Sequence, residues 1–359
     1  MKDNIKKFFY KKKVLITGNT GFKGSWLSLW MHYYKAKVLG LSLDASTKPS
    51  NFSTLNLKKR ILFKKTDIRN FKDLKKKIIN FKPDYIFHLA AEAIVNNSHK
   101  NPFSAWQTNT LGTINILEIL RSIKKNTVVI MITSDKVYKN FEQNKGYKET
   151  DIIGGLDTYS ASKASADLAI QSYINSFFKN KKKNIKISIA RAGNVIGGGD
   201  WSNGRIIPDC VKKWSKNKIA IIKNPRSTRP WQHILDVLFG YIILAVKLKL
   251  NSKLSGEIFN FGPNTQNKQE VIGLVKEFVK NWQGKKWLIV KKKNLIESKL
   301  LQLNSFKAKK LLQWNCILNL KKTINLTAEW YKKFYSKEKD MFEFSIQQIK
   351  DYEKLLKDK

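Results

Sequence analysis

The sequence predicts an α/β protein, with a doubly wound parallel sheet followed by a smaller α/β substrate-binding lobe. Three observations predict it. Short apolar, β-branched runs such as VLIT (14–17) and VVIM (128–131) recur, and read as strands buried on both faces. They alternate with stretches of helical spacing over about 130 residues, the pattern of βα units. A glycine-rich turn, TGNTGFKG, joins the first apolar run to the first helix.

The elements follow in order. Residues 11–17, KKKVLIT, lead with charge into the first strand, and 25–34 form an apolar helix. Residues 37–43, KVLGLSL, make a second strand ended by Asp44. Pro49 and polar neighbours make 45–60 a loop. A third strand at 61–65 leads to Asp67 and Ile68, and a helix at 71–80 follows. DYIFHL (84–89) is a fourth strand, 106–122 a long helix, and 127–133 a fifth strand. A helix at 160–177 then feeds a strand at 185–190. Past Arg191 the chain turns rich in Gly, Asn, Pro and Trp, as a loop-built lobe would. GEIFNFG (256–262) reads as a late strand returning to the sheet or its edge. The predicted division is therefore 11–190 with returning segments at about 228–262, a lobe of 191–227 and 263–335, and a charged tail at 336–359. The tail reads as a solvated helix.

The chain has 359 residues, enough for a large core, and a formal charge of +42. Lysines lie in nearly every segment, including the runs 181–183 and 291–293. The charge therefore reads as a drift of composition, with no zinc-finger spacing or RNP motif to favour a nucleic-acid partner. Such a surface still attracts small anions. No apolar run approaches the roughly 18 residues of a membrane span. The basic N-terminus lacks the apolar region of a secretory signal, so a cytoplasmic setting is expected. Cys210 and Cys316 form no metal or disulfide pattern, and the four histidines are scattered; no metal is expected.

In TGNTGFKG, Gly18, Gly21 and Gly24 stand three apart. Glycines there permit a tight turn and close approach of a pyrophosphate to a helix N-terminus. Asp44 follows about 26 residues after Gly18. A carboxylate in that place accepts hydrogen bonds from both ribose hydroxyls and repels a 2′-phosphate, which favours NAD over NADP. Asp67 and Ile68 follow the third strand, where an adenine edge would be met. Leu89, Ala90 and Ala91 follow the fourth, small enough at the alanines for a cofactor backbone to pass. Tyr159 and Lys163, four apart in YSASK, share one helix face. An ammonium beside a phenol, together with a positive nicotinamide, favours the phenolate, which then accepts a hydroxyl proton. In ITSDKVY a hydroxyl, a carboxylate and an amine, Ser134, Asp135 and Lys136, stand in a row where the fifth strand ends.

Taken together, TGNTGFKG, Asp44, HLAA, Asn109, Ser134 and YSASK resemble the extended short-chain dehydrogenases/reductases. TGFKGSWLSLW, TSDKVY, ARAGNVIGGGDW, RIIPD and RPWQHILD extend the likeness over nearly the whole chain, to the CDP-glucose branch of the nucleotide-sugar 4,6-dehydratases. The resemblance implies a Rossmann-type fold and a bound NAD. Thr20 and Phe22 join the glycine turn in holding it. Ser134, Tyr159 and Lys163 form a catalytic trio, and Asn109 holds a proton-relay water. The implied reaction oxidises C4 of the sugar, eliminates water across C5–C6 and returns the hydride to C6. Asp135, protonated, is the candidate acid for the elimination. Lys136 stands where related dehydratases carry Glu; it serves either as a neutral base at C5 or as a charged stabiliser of the enolate. Asn194, Arg205 and Arg229 are candidates for the sugar diphosphate, the arginine fork suiting its oxygens. Trp201 and Trp231 stack or pack, and His233 is structural. The resemblance also implies a homo-oligomer, dimer or tetramer, paired through the YxxxK helix. Another NAD-dependent nucleotide-sugar 4,6-dehydratase, a 4-epimerase using the same Tyr and Lys without Asp135, and a non-catalytic NAD- or nucleic-acid-binding protein are the competing readings.

Overall fold

The computed structural model describes residues 5–143, 145–179, 184–263, 268–282, 285–290, 300–338 and 340–358. The lysine runs 181–183 and 291–293 lie outside the described residues.

After a short helix α1 (Ile5–Phe9), the first apolar run becomes β1 (Lys13–Thr17). Helix α2 (Phe22–Tyr33) starts three residues before the predicted point, because Gly21 already serves as its N-cap. β2 (Lys37–Ser42) follows. The predicted loop at 45–60 is corrected: Ser50 accepts from the Ser53 N–H and so caps a short helix, α3 (Asn51–Thr54), with a 3-10 turn at Leu57–Lys59. Polar sequence hid it. β3 (Leu62–Lys65), α4 (Phe71–Phe81) and β4 (Tyr85–His88) match the pattern. Next come α5 (Val95–Lys100), which has no apolar stripe to announce it, and α6 (Pro102–Trp106), whose proline sits at the first turn. A π-turn at Gln107–Leu111 joins α6 to α7 (Gly112–Ser122) with helical backbone at both junctions, so the predicted helix at 106–122 is present as one run with a π-bulge and begins earlier, at Pro102. β5 (Thr127–Ile132), α8 (Thr158–Tyr173) and β6 (Ile185–Ala192) continue the alternation.

Beyond β6 lie β7 (Val195–Ile196), α9 (Ile206–Trp214), β8 (Ala220–Ile222), β9 (Thr228–Pro230), β10 (Gln232–His233) and α10 (Ile234–Leu250). Then come β11 (Ile258–Phe261), β12 (Lys268–Glu270), α11 (Val271–Val279), β13 (Trp287–Ile289), α12 (Leu320–Ser336) and α13 (Met341–Lys357). The main sheet has seven parallel strands in the order β11-β6-β5-β4-β1-β2-β3. The order reverses between β1 and β4, and ligands bind at such a point, outside the carboxyl ends of the strands. The late strand predicted at 256–262 is β11, parallel to β6 at the edge. β7 pairs β10, β9 pairs β12 and β8 pairs β13, three small ribbons of the lobe.

β5 (TVVIMI) is buried on both faces, the expected state of a central parallel strand. α10 is apolar nearly all round and buried along most of its length, as such a helix must be. The C-terminal helix corrects the expectation of a solvated tail. Met341, Phe342, Ile346, Ile349, Tyr352 and Leu356 are buried at helical spacing. Glu353 accepts from Trp30 Nε1 at 2.8 Å and the Tyr34 hydroxyl at 2.6 Å. The buried Asp236, in the first turn of α10, accepts from Ile317 N (2.9 Å), Leu318 N (3.3 Å), Cys316 Sγ (3.2 Å) and the Tyr352 hydroxyl (2.9 Å). The charges of α13 cover one face only. Among the described residues no helix is long and apolar enough to cross a membrane.

Candidate active site

Because the sheet is parallel, every strand delivers its following loop to one edge. At β1, Gly18 adopts φ +71°, a conformation that costs a side chain strain. A Cβ on Gly18 would meet Ala90 Cα and N at 2.8 Å, and one on Gly24 would meet Gly18 O at 2.2 Å. The turn is thus folded onto itself and onto Ala90. Thr17 Oγ1 fixes that approach by accepting from Leu89 N and Ala90 N, each at 3.2 Å. His88, buried and pushed down to about 3 by burial, bonds Thr17 Oγ1 through Nδ1 (2.8 Å) and Thr113 Oγ1 through Nε2 (3.2 Å). Thr20 bonds Ser42 Oγ at 2.7 Å and donates to Leu43 O at 3.0 Å, tying the turn to the end of β2. Gly21 is exposed, and a Cβ there would meet only Gly18 O, at 3.4 Å. The outer face of the turn, at the N-terminus of α2 and beside Phe22, is open to a pyrophosphate.

Asp44 lies past β2, its side chain 71% exposed and paired with Lys65 at 2.5 Å. Asp67 accepts from Arg69 Nη2 at 2.6 Å, which holds its carboxyl below the usual range. Ile68 is buried beneath it against Gly112. These residues sit at the β2–β3 side of the edge, apart from the groups around β5. Ala91 continues the loop after Ala90. The buried Asn109, in the π-turn, accepts from Glu92 N (2.7 Å) and donates to Ser162 Oγ (2.9 Å) and Glu92 O (3.2 Å). Both donors and the carbonyl of its side chain have protein partners.

Past β5, Ser134, Asp135, Tyr159 and Lys163 are all buried and Lys136 is half-buried. Ser134 Oγ donates to Asp135 Oδ1 at 3.0 Å and accepts from Lys136 N at 3.2 Å, capping a 3-10 turn (Asp135–Val137). Burial raises the carboxyl of Asp135, against the pull of Lys136, the Ser134 hydroxyl, Lys23 and Arg229. Burial also pushes the Tyr159 phenol up to about 12; hydrogen bonding with Ser134 and the charge of Arg205 oppose it. In the protein alone desolvation outweighs the Ser134 hydrogen bond and the charge of Arg205. Lys163 is lowered to about 8 by burial, opposed by Asp167, and its Nζ lies 3.4 Å from Ile132 O. Asp157 caps α8 by accepting from Ser160 N at 3.0 Å, which orients the turn that carries Tyr159.

The second lobe reaches the same groups. Arg205 pairs with the buried Asp200 at 2.7 Å, and its charge is felt at Tyr159 and Lys23. Arg229 is buried and acts on Asp135. Asn194 lies between β6 and β7, its carbonyl accepting from Gln232 N at 3.2 Å. Trp201 packs on Trp330, Tyr331 and Phe334, a core role. His233 caps α10 by accepting from Leu235 N at 3.3 Å.

Two features were not foreseen from the sequence. Behind the ITSDKVY segment, Arg191 and Asp167 form an ion pair at 2.7 Å with no exposure. Asp167 also accepts from Thr133 Oγ1 at 2.7 Å, and Arg191 donates to the Tyr138 hydroxyl at 2.8 Å, so the pair grips both ends of the segment. The other is Lys23, in the first turn of α2. A lysine inside a glycine turn, where a helix dipole disfavours cations, was the available signal.

The model of the GDP-mannose 4,6 dehydratase family matches residues 15–327. A CDP-glucose 4,6-dehydratase of Salmonella typhimurium is 39% identical over 351 residues, 97% of this chain and 98% of that protein. Among solved structures, an epimerase from Methanothermobacter thermautotrophicus superimposes with a TM-score of 0.79 at 22% identity, covering 94% of this chain and 98% of that one. A UDP-glucuronic acid 4-epimerase from Bacillus cereus, in complex with UDP-glucuronic acid and NAD, gives 0.75 at 25% identity, covering 90% and 100%.

Proposed function

Because the chain belongs to the GDP-mannose 4,6 dehydratase family, we propose that it is an NAD-dependent hydro-lyase that converts CDP-glucose to CDP-4-dehydro-6-deoxyglucose and water. The relative at 39% identity over nearly the full length supports the substrate. The observation that carries the chemistry is the convergence of a buried Asp135, its carboxyl raised by burial, with Ser134, Tyr159 and Lys163 at one strand end.

Gly18, Gly21 and Gly24 with Thr20 and Phe22 hold the NAD pyrophosphate, Asp44 the ribose, Asp67 and Ile68 the adenine, and Leu89 to Ala91 the cofactor's inner side. NAD+ bound there supplies the acceptor for the C4 hydride and the donor that returns it to C6. Tyr159, as phenolate, takes the proton of the C4 hydroxyl while Ser134 holds that oxygen. Lys163 and the cofactor's own positive charge offset the burial that keeps the phenol protonated in the protein alone. Once C4 is a ketone, the C5 proton is acidic. Lys136 removes it, and Asp135 gives its proton to the departing C6 hydroxyl, which leaves as water. Lys136 then returns a proton to C5. Asn109 orders the relay to solvent, and Asn194, Arg205 and Arg229 hold the sugar diphosphate.

The proposal includes deoxysugar biosynthesis in the cytoplasm by a homo-oligomer, dimer or tetramer. Cys210 and Cys316 are buried and in no disulfide, which supports a reducing compartment. Exposed Leu111 and Leu168, beside α7 and on α8, support pairing through those helices.

Purified protein incubated side by side with CDP-, dTDP-, GDP- and UDP-glucose tests the reading. A 4-keto-6-deoxy product formed fastest from CDP-glucose is expected. Interconversion of C4 epimers without loss of water would favour the epimerase reading, and no turnover of any nucleotide sugar would end both.

A further inference from the structure

Lys23 is a charge without a partner. It makes no hydrogen bond and no ion pair among the described residues, although it is partly buried in the first turn of α2. The charges that act on it are Arg205 and Lys163, both repelling, and Asp135 and Asp200, both attracting. Asp200 is already taken by Arg205 at 2.7 Å. The carboxyl of Asp135 is raised by burial and already faces Lys136 and Arg229. The attractive side of the balance is therefore weak. Loss of water first, then the charges of Arg205 and Lys163, lower Lys23 to about 8. Its place in the first turn of α2, at the positive end of the helix dipole, is a further cost to a cation. An anion bearing two charges beside Lys23 would offset these costs by its own attraction.

We propose that Lys23 is a diphosphate-binding residue, closing with Arg205 from opposite lobes on the phosphate oxygens of a bound nucleotide. Arg205 comes from the second lobe, at the start of α9, and Lys23 from the glycine turn of the first. The pair spans the gap between the cofactor turn and the groups around Asp135. The chemistry fits the diphosphate of a nucleotide sugar and that of the dinucleotide alike. The inference rests on the proposed function for the presence of those ligands.

Calorimetric titration separates the sources. Wild type, Lys23→Met and Lys23→Arg are titrated with CDP and, separately, with NAD; Lys23→Gln is a second neutral variant in case the methionine variant folds poorly. Loss of a charged hydrogen bond predicts that the neutral variants bind one of the two ligands about 10- to 100-fold more weakly, and Lys23→Arg less so. A loss confined to CDP assigns the nucleotide-sugar diphosphate, and a loss confined to NAD the cofactor's. CMP, which lacks the second phosphate, should lose less than CDP if the CDP arm responds. At pH 8, wild type should take up protons on binding that ligand, and the neutral variants fewer, read from buffers of different ionisation enthalpy. Unchanged affinity for both CDP and NAD in a neutral variant with wild-type melting temperature would overturn the inference alone. A wild type that binds neither ligand would overturn the proposed function and this inference with it.

Discussion

Asp167→Asn tests how the reaction segment is held. Asp167 receives Arg191 Nη2 at 2.7 Å and Nε at 3.0 Å, Thr133 Oγ1 at 2.7 Å and Gln171 Nε2 at 2.8 Å. Asparagine keeps the shape but turns one acceptor oxygen into an NH2 that faces donors. It also leaves the guanidinium of Arg191, which has no exposure, without its counter-charge. Breaking one side of a buried pair costs about 3–5 kcal/mol. Against a total stability of about 5–15 kcal/mol that is a large share. Activity should fall as well, because Thr133 and Tyr138 bracket Ser134, Asp135 and Lys136, and both ends are gripped by this pair. Urea unfolding measures the first effect, and turnover well below the melting transition the second. A change under about 1 kcal/mol with normal turnover would refute the argument. The double variant Asp167→Leu with Arg191→Met removes both charges, so it should be less destabilised than Asp167→Asn.

Other outcomes follow from the same geometry. Gly24→Ala places a Cβ 2.2 Å from Gly18 O, backbone that cannot yield without opening the turn; NAD affinity by fluorescence titration should fall by at least about tenfold, as for a loss of 1.4 kcal/mol. His88 is held neutral by burial, with a folded value near 3 against 6.5 when free. The unfolded chain therefore takes up this proton first, and stability present above pH 6.5 is lost as pH falls toward 3. A full shift of that size is worth roughly 5 kcal/mol, so a His88→Gln variant should show a flatter loss of melting temperature between pH 6.5 and 4. His233, also lowered to about 3, would sustain the remainder. In Lys136→Ala, solvent deuterium should no longer enter C5 of the product; normal incorporation would leave Lys136 a stabiliser of the enolate and not the base.

The strand ends were readable because each apolar run stops at a polar residue with a plain chemical use. Thr17, Asp44, Asp67, His88 and Ser134 all stand where the runs stop, on one edge of the sheet. The YxxxK helix was readable for the same reason, four residues being one turn. What stayed hidden depends on partners distant in sequence. Lys23, inside a glycine turn, gives no sign in the sequence of Arg205, Asp135 and Lys163, whose charges act on it across the fold. Asp167 and Arg191 lie on different elements, so nothing in the sequence announces the fully buried ion pair that they form. α5 has no apolar stripe, since its polar residues pack beside α6 and α8 at the rim. In α13 the abundance of charge masked six apolar residues at helical spacing. The upward push of burial on the Tyr159 phenol is likewise invisible in sequence, which shows neighbours but not desolvation.

The tie between Asp236 and the end of the chain bears on how the protein is made. Asp236 follows the RPWQH stretch by three residues, and its carboxylate has no solvent to turn to. Its donors leave the ribosome late: Cys316, Ile317 and Leu318 some 80 residues after it, and Tyr352 more than 100. Through synthesis of most of the chain, α10 therefore lacks the groups that quiet its first turn. Translation that halts short of Tyr352 should yield not a weakened catalyst but a chain with an open core beside α10, recognised by proteases. Tyr159 and the glycine turn wait in the growing chain for a helix that contributes nothing to the chemistry.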